Sequence, residues 1–213
     1  MAQACCIFST MVKRLSTGFS VAALLVGLGA CVDAGKSFDD FSDRVGTTDA
    51  NTTDAPPSAI HNITGTFLLS VHAGFETSND PAYYVQLLVN WTLTDGASPT
   101  LDGSFTPLCV NTACTTMREP IPPALTNVAP VGADGTFSQS LSGTLPGGAN
   151  PLSGTAQPLD GTLVGSIISE NAVCGSVTGT VAGLDLTGST FGAIRVTDTT
   201  PANLPPPVAN CPN

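Results

Sequence analysis

Beyond Lys36 this chain contains no lysine, and its only histidines are His61 and His72. A serine nucleophile needs a base within hydrogen-bond reach. A Ser-Lys site is therefore excluded after position 36, and a Ser-His site would have to draw on two residues only eleven positions apart. Glutamate is as scarce, with Glu76, Glu119 and Glu170 the full set. A glycosidase needs two acids converging across a cleft, whereas most aspartates here fall in turn dipeptides. Gly-x-Ser-x-Gly does not occur: Gly188-Ser-Thr-Phe-Gly192 has Thr at its centre, and Asp185-Leu-Thr-Gly188 carries one residue too many for an Asp-Thr-Gly loop. With no catalytic constellation, the chain reads as a non-enzyme, and a hydrolase is the least supported reading.

Charge is sparse and one-sided. Only 10% of residues are charged and 6% are aromatic, against 22 Gly and 17 Pro, and the formal net charge is −10. Such a surface repels nucleic acid and anionic headgroups, so no nucleic-acid partner is expected. Metal-ligand spacing is missing as well. Cys109-x4-Cys114 has no second pair nearby, and the acidic run from Asp39 to Asp54 lacks the alternating aspartates and glycine of a calcium loop. Neither a metal nor a cofactor is expected.

Nor is there an uninterrupted apolar run of the roughly 18 residues that span a bilayer. What the chain does have is Lys13-Arg14, an apolar stretch from Phe19 to Ala30 broken by Ser20 and glycines, and then Leu28-Gly29-Ala30-Cys31. Basic, apolar and small-residue regions in that order make a secretory signal. Leu, two small residues and Cys resemble, position by position, the signal of bacterial lipoproteins. The resemblance covers about the first thirty residues. It implies cleavage between Ala30 and Cys31, lipidation of the Cys31 thiol by diacylglycerol with palmitate-type chains, and anchoring in a lipid bilayer. Val32 rather than Asp after the cysteine implies the outer membrane of a diderm cell envelope, facing the periplasm or the cell surface. Met1 or Met11 could start the chain, since the first ten residues lengthen the basic region without adding charge.

Cleavage would leave four of the six basic residues and all sixteen acidic ones, a formal charge of about −12. It would also leave Cys109, Cys114, Cys174 and Cys211 as an even set in an exported chain, which implies a disulfide framework with three possible connectivities. Cys109 with Cys114, closing a short polar loop, and Cys174 with Cys211, pinning a Pro-rich tail, are favoured. Four regions follow: signal peptide 1–30, lipidated Cys and acidic flexible linker 31–60, a β domain 61–199, and the Pro-rich tail 200–213. The tail has only Leu204 and Val208 as sizeable apolar groups, so the bridge is expected to be what holds it.

From His61 onward the apolar period is two. Tyr83, Val85, Leu87, Val89, Trp91 and Leu93 fall on one face of a strand; Phe67, Leu69 and Val71 do so on another, and Val173, Val177 and Val181 on a third. Asp95-Gly96, Asp102-Gly103, Asp134-Gly135 and Asp160-Gly161, with Pro146-Gly147-Gly148, read as turns between strands. Gly161, Gly165, Gly175, Gly179 and Gly188 alternate with larger residues, which lets a coiled sheet close on itself. The fold expected is all-β: an antiparallel meander of about eight strands forming a compact barrel, with a two-sheet sandwich as the alternative.

Two function classes then remain. The first is a structural or interaction role, with the β domain presented to an unknown envelope protein or glycan. The second is a small-ligand-binding barrel, with Tyr83, Tyr84, Trp91 and, on the long Val110–Ala133 loop, Arg118 as candidate binding residues. A cavity lined by the aromatic three would favour the second class, and a filled core the first.

Overall fold

The computed structural model describes residues 60–211, so the signal region, Cys31 and the linker up to residue 59 lie outside the described residues. The described chain is all β apart from three single-turn 3-10 helices. Its strands are β1 (Gly65–His72), β2 (Val85–Thr94), β3 (Thr100–Pro107), β4 (Leu125–Pro130), β5 (Thr136–Leu145), β6 (Gln157–Ser169), β7 (Ala172–Val181), the two-residue β8 (Leu184–Asp185) and β9 (Ser189–Arg195). Every ladder is antiparallel, and the order is β4-β3-β2-β1-β9-β7-β6-β5, with β8 a flap on β7. Taken as a ring, this is sequence order, so the domain is an up-and-down barrel of eight long strands. It is open only between β4 and β5, where a single bridge joins Val131 to Phe137.

Strand alternation puts Phe67, Leu69, Val89, Trp91, Leu101, Phe105, Phe137, Leu163 and Phe191 inside, all buried. Rings of this size fit a small barrel because glycine stands beside them on the neighbouring strand. Trp91 pairs with Gly65 on one side and Gly103 on the other; Phe137 pairs with Gly165, and Phe191 with Gly175. A Cβ on Gly165 would lie 2.7 Å from both phenylalanine rings. Glycine here creates volume for its cross-strand partner. Trp91 then packs edge-on to Phe67, Phe105 and Phe137, at centroid distances of 5.2, 6.2 and 6.2 Å.

The open seam is closed by a side chain. Gln139 of β5 points inward and is fully buried. Its Oε1 accepts a hydrogen bond from Trp91 Nε1 at 3.0 Å, and its Nε2 donates to the carbonyls of Leu101 (3.2 Å) and Asn127 (2.9 Å), on β3 and β4. Leu125 of β4 fills the rest of the gap by lying against Gly143 of β5.

Three readings from sequence need correction. Asp102-Gly103 and Asp160-Gly161 are not turns but lie within β3 and β6, because the period of two turns the glycine inward beside Gln139 or Leu141 and the aspartate outward. Gly188 is not inside a strand; its φ of 84° places it in the turn before β9. β2 begins at Val85, not Tyr83, since Pro81 starts a 3-10 turn capped by the Asp80 carboxylate, which accepts from Ala82 N.

The tail also departs from expectation. Its bridge forms, as does the other: Cys174 joins Cys211 and Cys109 joins Cys114, with Cα separations of 5.1 and 6.2 Å. Yet the tail is packed as well as tied. Leu204 is buried with Leu68, Leu88, Leu108 and Val196 in a second apolar cluster on the outer face of β1 and β2. Further along, the carbonyls of Val208 and Asn210 lie over Gly192 of β9, where a Cβ would approach to 2.5 and 2.8 Å. The outer face that alternation marks as solvent-exposed is thus covered where Leu68 and Leu88 make it apolar.

Candidate functional site

The two ends of the barrel differ. At the base, where the chain enters and the short β2–β3, β4–β5 and β6–β7 turns gather, Arg195 closes the end. Its guanidinium donates to the carbonyls of Glu170 (2.8 Å), Thr64 (2.9 Å) and Asn62 (3.1 Å) and stacks 4.7 Å above the Phe67 ring. Ile63 is buried beneath it in the core. A broad hollow of about 690 Å³ adjoins Ile60 there, but its walls are the small residues of two turns, such as Gly96, Ala97, Ser98 and Ala133. It reaches none of the interior rings.

At the mouth, where the longer connections meet, the barrel holds an apolar cavity of about 220 Å³. Val71, Leu87, Leu141, Val177, Val181 and Leu186 form its wall, with Gly161 beside Leu141. Phe75, Leu152 and Leu184 stand at its rim, exposed by 40%, 42% and 54% although each is a large apolar side chain. They come from three separate connections: β1–β2, β5–β6 and the β8 flap. Such side chains gathered around one opening mark an interaction site more than scattered surface residues do.

The loops carrying the rim are built firmly. In the β5–β6 connection, Asn150 is buried, and its side chain accepts from Leu152 N and Ser153 N and donates to Ser153 Oγ and Thr155 O. Asn111, inside the Cys109–Cys114 loop, donates to the Gly147 and Asn150 carbonyls at 2.7 and 3.0 Å. The bridge thus braces a wall of the cavity at second remove, with Cys114 Sγ against Gly148. On the flap, Asp185 accepts from the hydroxyl and amide of Thr187, which hold its carboxyl below the usual carboxylate range. The tip itself, Ala182-Gly183, takes positive φ of 54° and 79°.

None of the four candidate binding residues lines this cavity. Trp91 is locked in the core beneath it by Gln139 and the rings. Tyr84 is buried on the flank, edge-on to His72 at 5.4 Å, with its hydroxyl donating to Asn79 O. Tyr83 is exposed on the 3-10 turn. Arg118, at φ 63°, sends its guanidinium outward to Gln86 Oε1 and the carbonyls of Leu204 and Pro205, where partial burial lowers its pKa. That guanidinium fastens the tail. What sequence reading missed is the rim, whose signal is one large apolar residue in each of three glycine-, serine- or asparagine-rich connections: Gly74-Phe75, Pro151-Leu152-Ser153 and Gly183-Leu184.

Groups that could serve catalysis or metal binding are occupied or apart. His72 Nε2 lies 3.0 Å from Ser78 O, and Ser189 Oγ, buried in the Gly188–Gly192 segment, accepts from Gly74 N at 2.8 Å. Among the described residues no three of His, Cys, Asp or Glu come together, and no helix is long and apolar enough to cross a membrane. No protein-family model, curated protein or solved structure matches the chain.

Proposed function

We propose that this chain is an envelope-anchored lipoprotein whose non-catalytic barrel holds a small apolar ligand at its mouth. The observation that carries the ligand half is the cavity of about 220 Å³ with Phe75, Leu152 and Leu184 exposed around its opening. A dry apolar cavity of about 150 Å³ already accepts a benzene ring, so this one has room for a modest apolar group. The anchoring half rests on Lys13-Arg14 followed by Leu28-Gly29-Ala30-Cys31. The described chain begins at Ile60 on the base, the end of the barrel opposite the mouth.

Native mass spectrometry of the protein taken from its own envelope tests the ligand half: a retained small molecule is expected, and its absence from every preparation counts against the reading. Incorporation of labelled palmitate into wild type but not into Cys31→Ser tests the anchor. A second reading, docking of an envelope protein or glycan on the barrel wall, is favoured by Val164 and Ile168, both 45% exposed on the outer face of β6.

A further inference from the structure

Resting on that ligand-binding reading, we infer that the ligand is a hydrocarbon group whose polar head bears no net negative charge and stays outside the mouth. No charged side chain lines the cavity. Its polar lining consists of Asn150, Ser153 and Gln157, and of their side-chain polar atoms only Gln157 Oε1 is without a hydrogen-bond partner. Asn150 uses both amide atoms, as described; Ser153 Oγ is shared with Asn150 Nδ2 and Thr155, and Gln157 Nε2 donates to Thr155 Oγ1. A polar group entering the cavity would lose its water for one acceptor at most, Gln157 Oε1, which costs free energy. The part of the ligand inside is therefore hydrocarbon.

The head is constrained by what stands near the opening. Of the arginines among the described residues, Arg195 is tied to three carbonyls at the base and Arg118 to Gln86 and the tail. Near the mouth the charged side chains of the flap and of the β1–β2 loop are Asp185, Glu76 and Asp80. A carboxylate head would meet like charge and, among the described residues, no untied arginine or lysine, whereas an alcohol, ester or amide head would not be opposed. Size sets the reach: scaling from the ring-sized cavity, about 220 Å³ takes roughly nine carbons. The rest of a longer chain would pass between Phe75, Leu152 and Leu184, which explains why these three are apolar.

The test is calorimetric titration of the full chain carrying Cys31→Ser, which has no attached lipid to compete. Decan-1-ol should bind at least tenfold more tightly than decanoate at pH 8. Gly161→Val, in the cavity wall beside Leu141, should weaken decanol at least tenfold. Should that variant misfold, Leu152→Glu with Leu184→Glu, both at exposed positions, should give the same loss. Decanoate binding as tightly as decanol overturns the head-group inference while leaving a ligand-binding barrel. Failure of decanol, decanoate and benzene alike overturns both. Phosphatidylcholine vesicles separate the sources of the chain: co-sedimentation that decanol competes away assigns it to a bilayer lipid, and decanol binding without co-sedimentation assigns it to a free neutral amphiphile.

Discussion

Replacing Gln139 with leucine would test whether one side chain closes this barrel. Leucine keeps the site apolar and similar in bulk but removes three hydrogen bonds at once. Trp91 Nε1 would then be a buried donor with no acceptor, at a cost of about 1–3 kcal/mol. The Leu101 and Asn127 carbonyls would lose their donor too; each bond is worth about 1 kcal/mol net, less where water can enter the seam. Together these give a loss of about 3 kcal/mol, large against the marginal stability of a domain this size. Urea unfolding with both bridges intact, followed by circular dichroism and by the fluorescence of the single tryptophan, would measure it. Coupling is the sharper readout. In Trp91→Phe the indole donor is already gone, so adding Gln139→Leu should cost about 1–2 kcal/mol less than it does in wild type. Amide exchange in β4 should also quicken in the single variant. A loss below about 0.5 kcal/mol, or strict additivity with Trp91→Phe, would refute the claim that Gln139 holds the seam.

Two further predictions follow from packing. Gly165→Ala should destabilise by about 1–3 kcal/mol, because its Cβ meets two rings at 2.7 Å. Gly161→Ala, two inward positions further toward the mouth and no closer than 3.5 Å to anything, should be neutral or stabilising by about 0.5 kcal/mol; thermal unfolding of the pair checks the contrast, and equal effects would refute it. For the tail, Cys211→Ala should remove about 3–4 kcal/mol of loop-closure stabilisation for a separation of 37 residues, yet leave the Leu204 region protected in hydrogen exchange, whereas Arg118→Ala should expose that region with the bridge intact. Loss of protection along the whole tail in Cys211→Ala would mean that the bridge alone holds it.

The strands were legible because their inner faces obey a period of two without exception in β2 and β7, and because Val177 and Val181 alternate with glycine. Where the period carried the signal, the meander followed. The failures share a cause, which is that a dipeptide does not say which face it serves. Asp-Gly is a turn when the chain reverses, as at Asp134-Gly135, and a strand pair when its glycine faces a neighbour's bulky side chain, as at Asp160-Gly161 beside Leu141. That distinction depends on register, which a single strand does not contain. Tyr83, Tyr84, Trp91 and Arg118 were attractive as a site because aromatics and arginine often bind ligands. Here Trp91 lies two inward positions below Leu87, too deep to reach the cavity, and the other three face the outside of the wall.

The cavity itself follows from how glycine and bulky residues are matched along the β6 and β7 strands. At the lower level, Gly165 and Gly175 pair with each other, and the rings of Phe137 and Phe191 fill the space they leave. Two inward positions nearer the mouth, beyond Leu163 and Val177, Gly161 and Gly179 also pair, but a Cβ on Gly179 would run into the Asp160 carbonyl, whereas one on Gly161 would have nothing closer than 3.5 Å. The residue beside Gly161 on β5 is Leu141, which is smaller than a ring, and the chain on the other side of β7 has turned into the β8 flap. Gly161 therefore leaves volume that no residue of the barrel occupies. A second phenylalanine at position 141 would have completed the core. A glycine such as Gly161, which costs conformational entropy in its strand and is not used for packing, points to a use from outside the chain, and the apolar rim above it has the chemistry to match.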